Sequence, residues 1–445
     1  MRRLPPEIAI VASFAGLIAV GTMLLSLPAA WGEGRSIGVL DALFTATSAV
    51  CVTGLITVDT ARAWSHFGQA VILALIQLGG LGILTVSTFF LVLIGRPLPL
   101  AHKGLITRTH GKLTHVAVKA LLIRIVSYAL AIEAAGAVIL TAYFAEESGW
   151  RSGAWRGLFH AVSAFCNAGF SLFSNSLEGF AGSWTVNLTI MGLIVVGGIG
   201  FLVLTDVEEW IRRRRRLSLH SKVVLTATAI LIVGGTAGFY AFEANNVLDG
   251  RSASEQFLVS LFQAVTPRTA GFNTVPYGAL TNAALMMTLI LMFIGGSPGS
   301  AAGGVKTSTA AILLGVLISR ARGMRHATLF RRTVPERLVG EAIAIVLLSV
   351  TVVMGATFLL QWTELHEMAH PGVRGAFLSL NFEAVSAFGT VGLSMGETMG
   401  LVPSSKLILV ALMFIGRLGP LTLALGLSRK RRVEYQYAEE PVLVG

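Results

Sequence analysis

Long apolar runs alternate with short polar segments along all 445 residues of the chain. Eight runs reach the roughly 20 residues that an α-helix needs to cross about 30 Å of hydrocarbon. They lie at residues 8–29, 68–94, 120–142, 184–205, 223–242, 282–318, 340–362 and 406–427. The pattern predicts eight membrane-spanning helices and leaves no room for a soluble domain.

A shorter apolar segment with a central glycine lies inside each consecutive pair of runs. The four copies are FTATSAVCVTGLITVDT from Phe44, FHAVSAFCNAGFSLFSN from Phe159, FQAVTPRTAGFNTVPYG from Phe262 and FEAVSAFGTVGLSMGET from Phe382, and the third is one residue short. The central glycines, Gly54, Gly169, Gly271 and Gly392, are 115, 102 and 121 residues apart. Such a period indicates an internal repeat. We therefore predict four tandem units, 1–110, 111–218, 219–335 and 336–445, each consisting of a helix, a short segment and a helix.

The charges follow the same division. The chain has 34 Lys and Arg against 23 Asp and Glu, a formal net charge of +11. The basic residues cluster between the units, at 96–119, 206–222, 320–337 and 429–432. The positive-inside rule places these clusters and both termini in the cytoplasm. The charge thus reflects membrane topology rather than nucleic-acid binding, and we expect a multi-pass protein of the plasma membrane, in contact with lipid.

The composition agrees with this topology. The chain is 54% hydrophobic with a mean hydropathy of +0.74, which excludes an ordinary soluble protein. The first apolar run resembles a signal peptide, but its spanning length and its place in the repeat favour a retained helix. Both cysteines, Cys51 and Cys166, lie in motif copies, and we predict small buried residues there.

Each unit begins and ends in the cytoplasm, so its motif lies on the extracellular side. The ten to twelve apolar residues before each glycine form only a half-length helix, which enters and leaves the membrane on one side. Irregular backbone at membrane depth is tolerated only where protein or water surrounds it. The sequence therefore predicts an all-α integral membrane protein with four re-entrant pore loops around a pseudo-fourfold central pore.

The side chains at the predicted tips differ from copy to copy. What the four copies have in common is the main chain around a glycine. The tip residues are Val52, Thr53, Gly54, Asn167, Ala168, Gly169, Thr269, Ala270, Gly271, Thr390, Val391 and Gly392. Glycine adopts positive φ readily, which lets carbonyl oxygens turn toward an axis, and carbonyl rings replace the hydration shell of K⁺ in potassium filters. The negative ends of the half-helices also favour a cation. A capping glycine explains any single copy, but four copies in register favour a K⁺ filter.

At these residues the chain resembles the superfamily of potassium transporters that includes KtrB, TrkH and the plant HKT proteins, over essentially its whole length. Eight spans without an additional N-terminal pair make it more similar to KtrB. The resemblance implies gated, K⁺-selective uptake, a homodimer with one pore per subunit, and Na⁺ as an activator. It also implies a cytoplasmic ring of nucleotide-binding RCK subunits of the KtrA type, no covalent cofactor, and sodium entry after Gly54→Ser, because plant members with serine there transport sodium.

A second repeated pattern lies in the second helix of each unit. The copies are LGGLG (78–82), VGGIG (196–200), IGGSPG (294–299) and IGRLG (415–419), so that Arg417 aligns with Gly80, Gly198 and Gly296. A charged residue inside the membrane is a functional candidate by default. We predict that Arg417 is a cationic barrier below the filter, the role that the superfamily also implies. The alternative is a snorkelling or ion-paired structural arginine.

The second helix of the third unit is interrupted by GGSPGSAAGGVKTST, residues 295–309. Glycine and proline lower helix stability by about 1 and 3 kcal/mol, so the sequence predicts a broken helix and a movable loop under the filter, similar to the gating loop of KtrB-like proteins. The candidate gate residues, besides Arg417, are Gly295, Gly296, Ser297, Pro298, Gly299, Ser300, Gly303, Gly304 and Lys306. A phosphate-binding loop is excluded because Val305 precedes the lysine and no strand precedes the loop. Lys306 is either a loop anchor or an electrostatic element.

Other polar residues allow two interpretations each. Asp59, Asn175 and Glu397 either concentrate cations outside the filter or are ordinary loop residues. Arg268 either holds its hairpin by hydrogen bonds or is solvated. Glu133 lies in a spanning run and has no identifiable partner.

Two other classes of function were considered. Secondary transport by rocking repeats usually gives two inverted halves, and the four units here share one orientation. An enzyme needs paired carboxylates, a metal cluster or an activated nucleophile. The one histidine group, His102, His110 and His115, has no cysteine and few acids nearby. We therefore expect a transporter and no enzyme.

Overall fold

The computed structural model describes residues 6–81, 115–214, 216–366, 368–373 and 375–419. Several predictions from the sequence fall outside these ranges. They concern Arg2 and Arg3, most of the basic cluster at 96–119 with His102 and His110, the ends of the runs 68–94 and 406–427, and the basic cluster at 429–432.

Four repeated units of three helical elements make up the described chain. We call these elements the first helix, the pore helix and the second helix. The first helices are Pro6–Leu25, His115–Ser148, Leu219–Glu243 and Glu336–Leu365, and the pore helices are Val39–Val50, Trp150–Phe165, Ala253–Val265 and Ala376–Gly389. The second helices are His66–Gly80, Trp184–Ile199, the broken pair Asn282–Phe293 and Thr307–Ala321, and Pro403–Leu418. The order confirms the predicted all-α arrangement.

The remaining elements are short. Among the described residues, two further helices are Thr60–Ala63 and Phe201–Arg213, and single 3₁₀ turns occur at Pro28–Ala30, Glu178–Phe180, Tyr277–Ala279 and His370–Val373. One antiparallel hairpin pairs Thr328–Leu329 with Arg332–Thr333. The hairpin lies within the basic segment 320–337.

Three helices of the described residues are each long and apolar enough to cross a membrane alone: Ile123–Ser148, Leu219–Glu243 and Glu336–Leu365. The predicted span 184–205 is not one continuous helix. Its helix ends at Ile199, Gly200 has a φ of 95°, and the chain turns by 99° into Phe201–Arg213. The other apolar helices are shorter, so the count of eight spans stays a prediction.

The pore helices form the centre of the molecule. The phenylalanines that begin the four motif copies, Phe44, Phe159, Phe262 and Phe382, are all fully buried. The first helices expose apolar side chains on their outer faces, for example Val138, Val233 and Phe358. An apolar core inside an apolar exterior is expected for a chain surrounded by hydrocarbon, where exposed apolar surface carries no penalty.

Capping residues fix where each second helix begins. In units 1 to 3, Ser65, Ser183 and Thr281 accept hydrogen bonds from main-chain N–H groups in the first turn of the second helix. The fourth begins with Pro403, whose missing N–H is no loss at that position. The chain therefore reverses at a defined place after each pore helix and returns toward the opposite side.

Candidate functional site

The four motif glycines meet in a closed ring. A Cβ atom placed on each glycine would lie less than 3.0 Å from a main-chain carbonyl oxygen of the following unit. For Gly54, Gly169, Gly271 and Gly392 these oxygens belong to Ala168, Ala270, Val391 and Thr53. The contacts run from unit 1 to 2, 2 to 3, 3 to 4 and 4 back to 1. The structure thus brings all four predicted tips together around one axis, with the carbonyl before each glycine at the ring.

The main chain of each tip has positive φ at two residues instead of one. The glycines have φ of 94°, 68°, 79° and 92°. The residues two positions earlier also have positive φ: Val52 55°, Asn167 60°, Thr269 69° and Thr390 50°. Such angles are rare for β-branched residues, and each is expected to cost about 1 to 3 kcal/mol. Alternation of positive and negative φ lets successive carbonyls face one side, as a carbonyl-lined filter requires.

A hydroxyl in the last turn of each pore helix, or directly after it, supports the tip that follows. Ser48 and Ser386 accept hydrogen bonds from the N–H groups of the motif glycines, at 3.0 and 3.1 Å. In units 2 and 3, Ser163 and Thr266 donate to the carbonyls of Phe170 and Phe272, at 2.8 and 2.5 Å. Sequence reasoning missed these four residues. Their signal was present, since a Ser or Thr stands five or six positions before the glycine in each aligned copy.

A cavity of about 570 Å³ opens on one side of the ring and is lined by all four glycines. Of the polar residues predicted outside the filter, Asp59 and Asn175 line this cavity, whereas Glu397 is exposed elsewhere. Asp59 also caps a short helix by accepting from Ala61 N at 2.8 Å. We call this cavity the mouth.

Sequence reasoning missed a second carboxylate in the mouth, Glu178. It accepts a hydrogen bond from Asn273 Nδ2 at 2.8 Å, which joins the loops of units 2 and 3. Burial raises the pKa of the Glu178 carboxyl, and the bond from Asn273 acts in the opposite direction. The mouth therefore offers carboxylate oxygens next to the ring.

The break in the second helix of unit 3 lies on the opposite side of the ring. We call this break, residues 294–306, the loop. Its two ends are joined by Gly295 N–H donating to Val305 O at 2.8 Å. The Lys306 ammonium donates to the carbonyls of Ala302 and Gly303, at 2.7 and 3.3 Å. Lys306 thus closes the loop on itself, the arrangement of a loop anchor.

The loop contacts the tip of unit 4 and is hydrogen-bonded to unit 2. A Cβ on Gly303 would overlap the Thr390 side chain, and one on Gly304 would lie 3.3 Å from Gly389 Cα. Ser297 N–H donates to Gly198 O at 3.0 Å. The break is the predicted one, and its position is directly beneath the tips.

Arg417 connects the loop to unit 1. Its guanidinium donates to the carbonyl oxygen of Ala301 in the loop and to that of Gly79 in the second helix of unit 1, the latter at 2.5 Å. A Cβ on Gly79 would overlap Val50 O, at the end of the first pore helix, so this contact lies just below the ring. Both acceptors are neutral carbonyls, which does not match the ion-paired alternative.

Two buried charged residues lie behind the tips. Arg268 is 5% exposed and donates to Thr228 Oγ1 at 3.2 Å, so the solvated alternative is wrong. Glu133 is 3% exposed, and both of its oxygens accept from Gln77 Nε2, at 3.1 and 3.0 Å. The sequence alone identifies no partner for Glu133, and the structure supplies one in Gln77. Its partner lies in unit 1, and the pair ties units 1 and 2 together.

Within the described residues, neither the thiols nor the histidines form a metal site. Cys51 and Cys166 are buried and unbridged, as predicted. Within the described ranges no group of three or more His, Cys, Asp or Glu residues is placed to hold a metal ion.

A family model described as TrkH, cation transport protein, matches residues 6–432. The chain is 38% identical to the potassium/sodium uptake protein NtpJ of Enterococcus hirae, covering 100% of this chain and 98% of the relative. It is 38% identical to the Ktr system potassium uptake protein B of Vibrio alginolyticus, with 98% and 94% coverage. It is 37% identical to the protein of the same name from Bacillus subtilis, with 100% and 98% coverage.

The fold is similar to that of a solved structure as well. The crystal structure of the potassium transporter TrkH from Vibrio parahaemolyticus matches with a TM-score of 0.73 at 20% identity, covering 96% of this chain and 86% of the other. At this identity the match shows a shared fold.

Proposed function

Because the chain belongs to the TrkH family of cation transport proteins, we propose that it takes up K⁺ selectively through a gated central pore in the plasma membrane. Membership confirms the resemblance that the sequence predicted, and it confirms a multi-pass membrane transporter rather than an enzyme. The names of the three relatives, all potassium or potassium/sodium uptake proteins, support K⁺ as the transported ion.

The observation that carries the proposal is the closed glycine ring. Four main-chain segments with alternating φ present carbonyl oxygens to one axis, and each stands at the C-terminal end of a pore helix. Carbonyl oxygens replace the water that a K⁺ ion loses, and the helix ends add negative potential. In this proposal the filter residues are 52–54, 167–169, 269–271 and 390–392.

The loop and Arg417 form the proposed gate. The loop stands beneath the tips, and Arg417 bonds both to it and to unit 1. A positive charge held at this level raises the energy of a cation leaving the filter. In this proposal the pore is closed while Arg417 holds the loop, and opening requires the loop and Arg417 to separate.

The proposed partners follow from the Ktr-system relatives. We assign the loop side to the cytoplasm, together with both termini, where an RCK-type nucleotide-binding ring of the KtrA kind would control opening of a homodimer. The basic segment 320–337 follows the second helix that begins at the loop, which places positive charge and the hairpin on the side where such a ring would bind.

A second candidate is Na⁺ conduction or Na⁺-coupled uptake, because the NtpJ relative is named for both ions. The two functions are separated by measuring K⁺ and Na⁺ flux into proteoliposomes that contain the purified protein, with and without a candidate RCK subunit. We expect K⁺ flux well above Na⁺ flux and a change in K⁺ flux when the subunit is added. Equal fluxes of the two ions would contradict selective K⁺ uptake.

Shortening the loop by residues 299–302 is expected to raise basal K⁺ flux severalfold. The deletion removes the Ala301 carbonyl that binds Arg417 and the Ala301 N–H that donates to Gly197 O. Flux is measured in proteoliposomes without a partner subunit. A matched control removes four exposed residues, 322–325, after the same second helix. Basal flux equal to that of the wild type in the loop variant would contradict a gate.

A further inference from the structure

One fully buried position in each unit follows the phenylalanine that begins the motif. Its residues are Thr45, His160, Gln263 and Glu383, each 0 to 1% exposed. In units 2 to 4 the side chain reaches a residue eleven positions later, in the segment just after the filter glycine. We call each such connection a strut.

The strut of unit 4 holds three groups. Glu383 Oε1 accepts from Ser394 Oγ at 2.6 Å and from Met395 N–H at 3.0 Å. Its Oε2 accepts from Thr398 Oγ1 at 2.5 Å. The carboxylate thereby fixes the first turn of chain after Gly392.

The strut of unit 3 uses an amide for the same purpose. Gln263 Nε2 donates to Thr274 Oγ1 at 3.0 Å, and Gln263 Oε1 accepts from the Tyr277 hydroxyl at 2.6 Å. Both bonds are buried. They connect the pore helix to the segment after Gly271.

The strut of unit 2 uses an imidazole. His160 Nδ1 lies 2.7 Å from Arg156 O, so Nδ1 carries the hydrogen and Nε2 is an acceptor. Nε2 lies 3.0 Å from Ser171 Oγ and accepts from Leu172 N–H at 3.3 Å. Three chemically different side chains thus make the same connection.

Unit 1 has no strut. The Thr45 hydroxyl is buried without a hydrogen-bond partner among the described residues. The residue eleven positions later is Ile56, which offers no polar group. Nothing equivalent therefore fixes the chain after Gly54 to its pore helix through this position.

We propose that the struts are selectivity-determining positioning residues, and that unit 1 is the compliant quarter of the filter. A glycine has no side chain that packing can hold, so hydrogen bonds before and after it fix its carbonyl. The pore-helix hydroxyls bond to the glycine N–H in units 1 and 4 and to the carbonyl of the next residue in units 2 and 3. The struts reach further along the chain, to residues two or three positions after the glycine. The inference rests on the proposed K⁺ filter, where a shift of carbonyl oxygens changes the preference for K⁺ over Na⁺.

The test compares Gln263→Leu, Gln263→Glu and Thr45→Val in proteoliposomes, with the K⁺/Na⁺ permeability ratio as the readout. Leucine has a similar volume and loses both strut bonds, so the ratio is expected to fall about fivefold, the effect of roughly one buried hydrogen bond. Glutamate, the residue that unit 4 uses, accepts from both Tyr277 and Thr274 and keeps the wild-type ratio. Thr45→Val removes a hydroxyl that has no partner and leaves the ratio unchanged.

A second variant covers the case in which Gln263→Leu does not fold. Thr274→Val removes only the partner hydroxyl in a nearly isosteric side chain, and its ratio is expected to fall in the same direction. A selective wild type with unchanged ratios in the Gln263→Leu and Thr274→Val proteins would overturn the inference alone, as would an equal loss in Thr45→Val. A wild type without K⁺ preference would overturn the proposed function and the inference with it.

Discussion

Replacing Gly54 with serine is expected to remove most of the preference for K⁺ over Na⁺, with a fall in the permeability ratio of at least about tenfold. Gly54 has a φ of 94°, and a Cβ at this position would overlap the carbonyl oxygen of Ala168 in unit 2. Either the serine leaves the left-handed region or the carbonyl moves away from the ring. Both changes alter the oxygen cage that the ion enters.

The fall in the permeability ratio is expected to be larger than the overlap with the Ala168 carbonyl alone would cause. The chain after Gly54 has no strut to restore its position, so a displacement there spreads along the segment. The ratio is measured from K⁺ and Na⁺ fluxes in proteoliposomes.

A matched control is Gly34→Ser in the same unit. Gly34 also has a positive φ, 69°, but a Cβ there would have nothing within 4 Å. The control also places a side chain on a residue with positive φ but without contact to the ring, and its ratio is expected to match the wild type. An unchanged ratio in the Gly54→Ser protein, present in the membrane at wild-type amount, would argue against a carbonyl filter.

The closed ring was predictable because the glycine motif occurs four times in the sequence. Each copy alone is an ordinary helix end. The prediction rests on all four copies lying at the same place between two apolar runs. The positive φ at Val52, Thr269 and Thr390 was not predictable, since β-branched residues disfavour it. Tertiary contacts impose that angle, and a single sequence carries no record of them.

Contacts between units explain the other differences. The apolar run 184–205 does not form one continuous helix because Gly200 packs against the loop, where Phe201 N–H donates to Gly299 O at 3.2 Å. Gln77 is the partner of Glu133 although 56 residues separate them. The struts were not predicted for a related reason. His160, Gln263 and Glu383 differ in chemistry, and the connection that they share is visible only in the fold.

Replacing Arg417 with glutamine is expected to raise basal K⁺ flux, without a partner subunit, by about tenfold or more. At an effective dielectric constant near 20, a unit charge about 4 Å from a cation raises its energy by roughly 4 kcal/mol. Each 1.4 kcal/mol corresponds to a factor of ten, so loss of even part of this barrier is measurable. Glutamine also loses at least one of the two carbonyl contacts, to Ala301 or Gly79.

The Arg417→Lys protein separates the charge from the contacts. Lysine keeps the positive charge, but a single ammonium group lacks the planar fork that bonds two separated carbonyls. Low basal flux in the lysine variant, with high flux in the glutamine variant, would identify an electrostatic barrier. High flux in both would identify a latch between the loop and unit 1, because the charge alone would then not close the pore. Wild-type flux in both variants would contradict either role, and Arg417 would then be a structural link between unit 4 and its two neighbours.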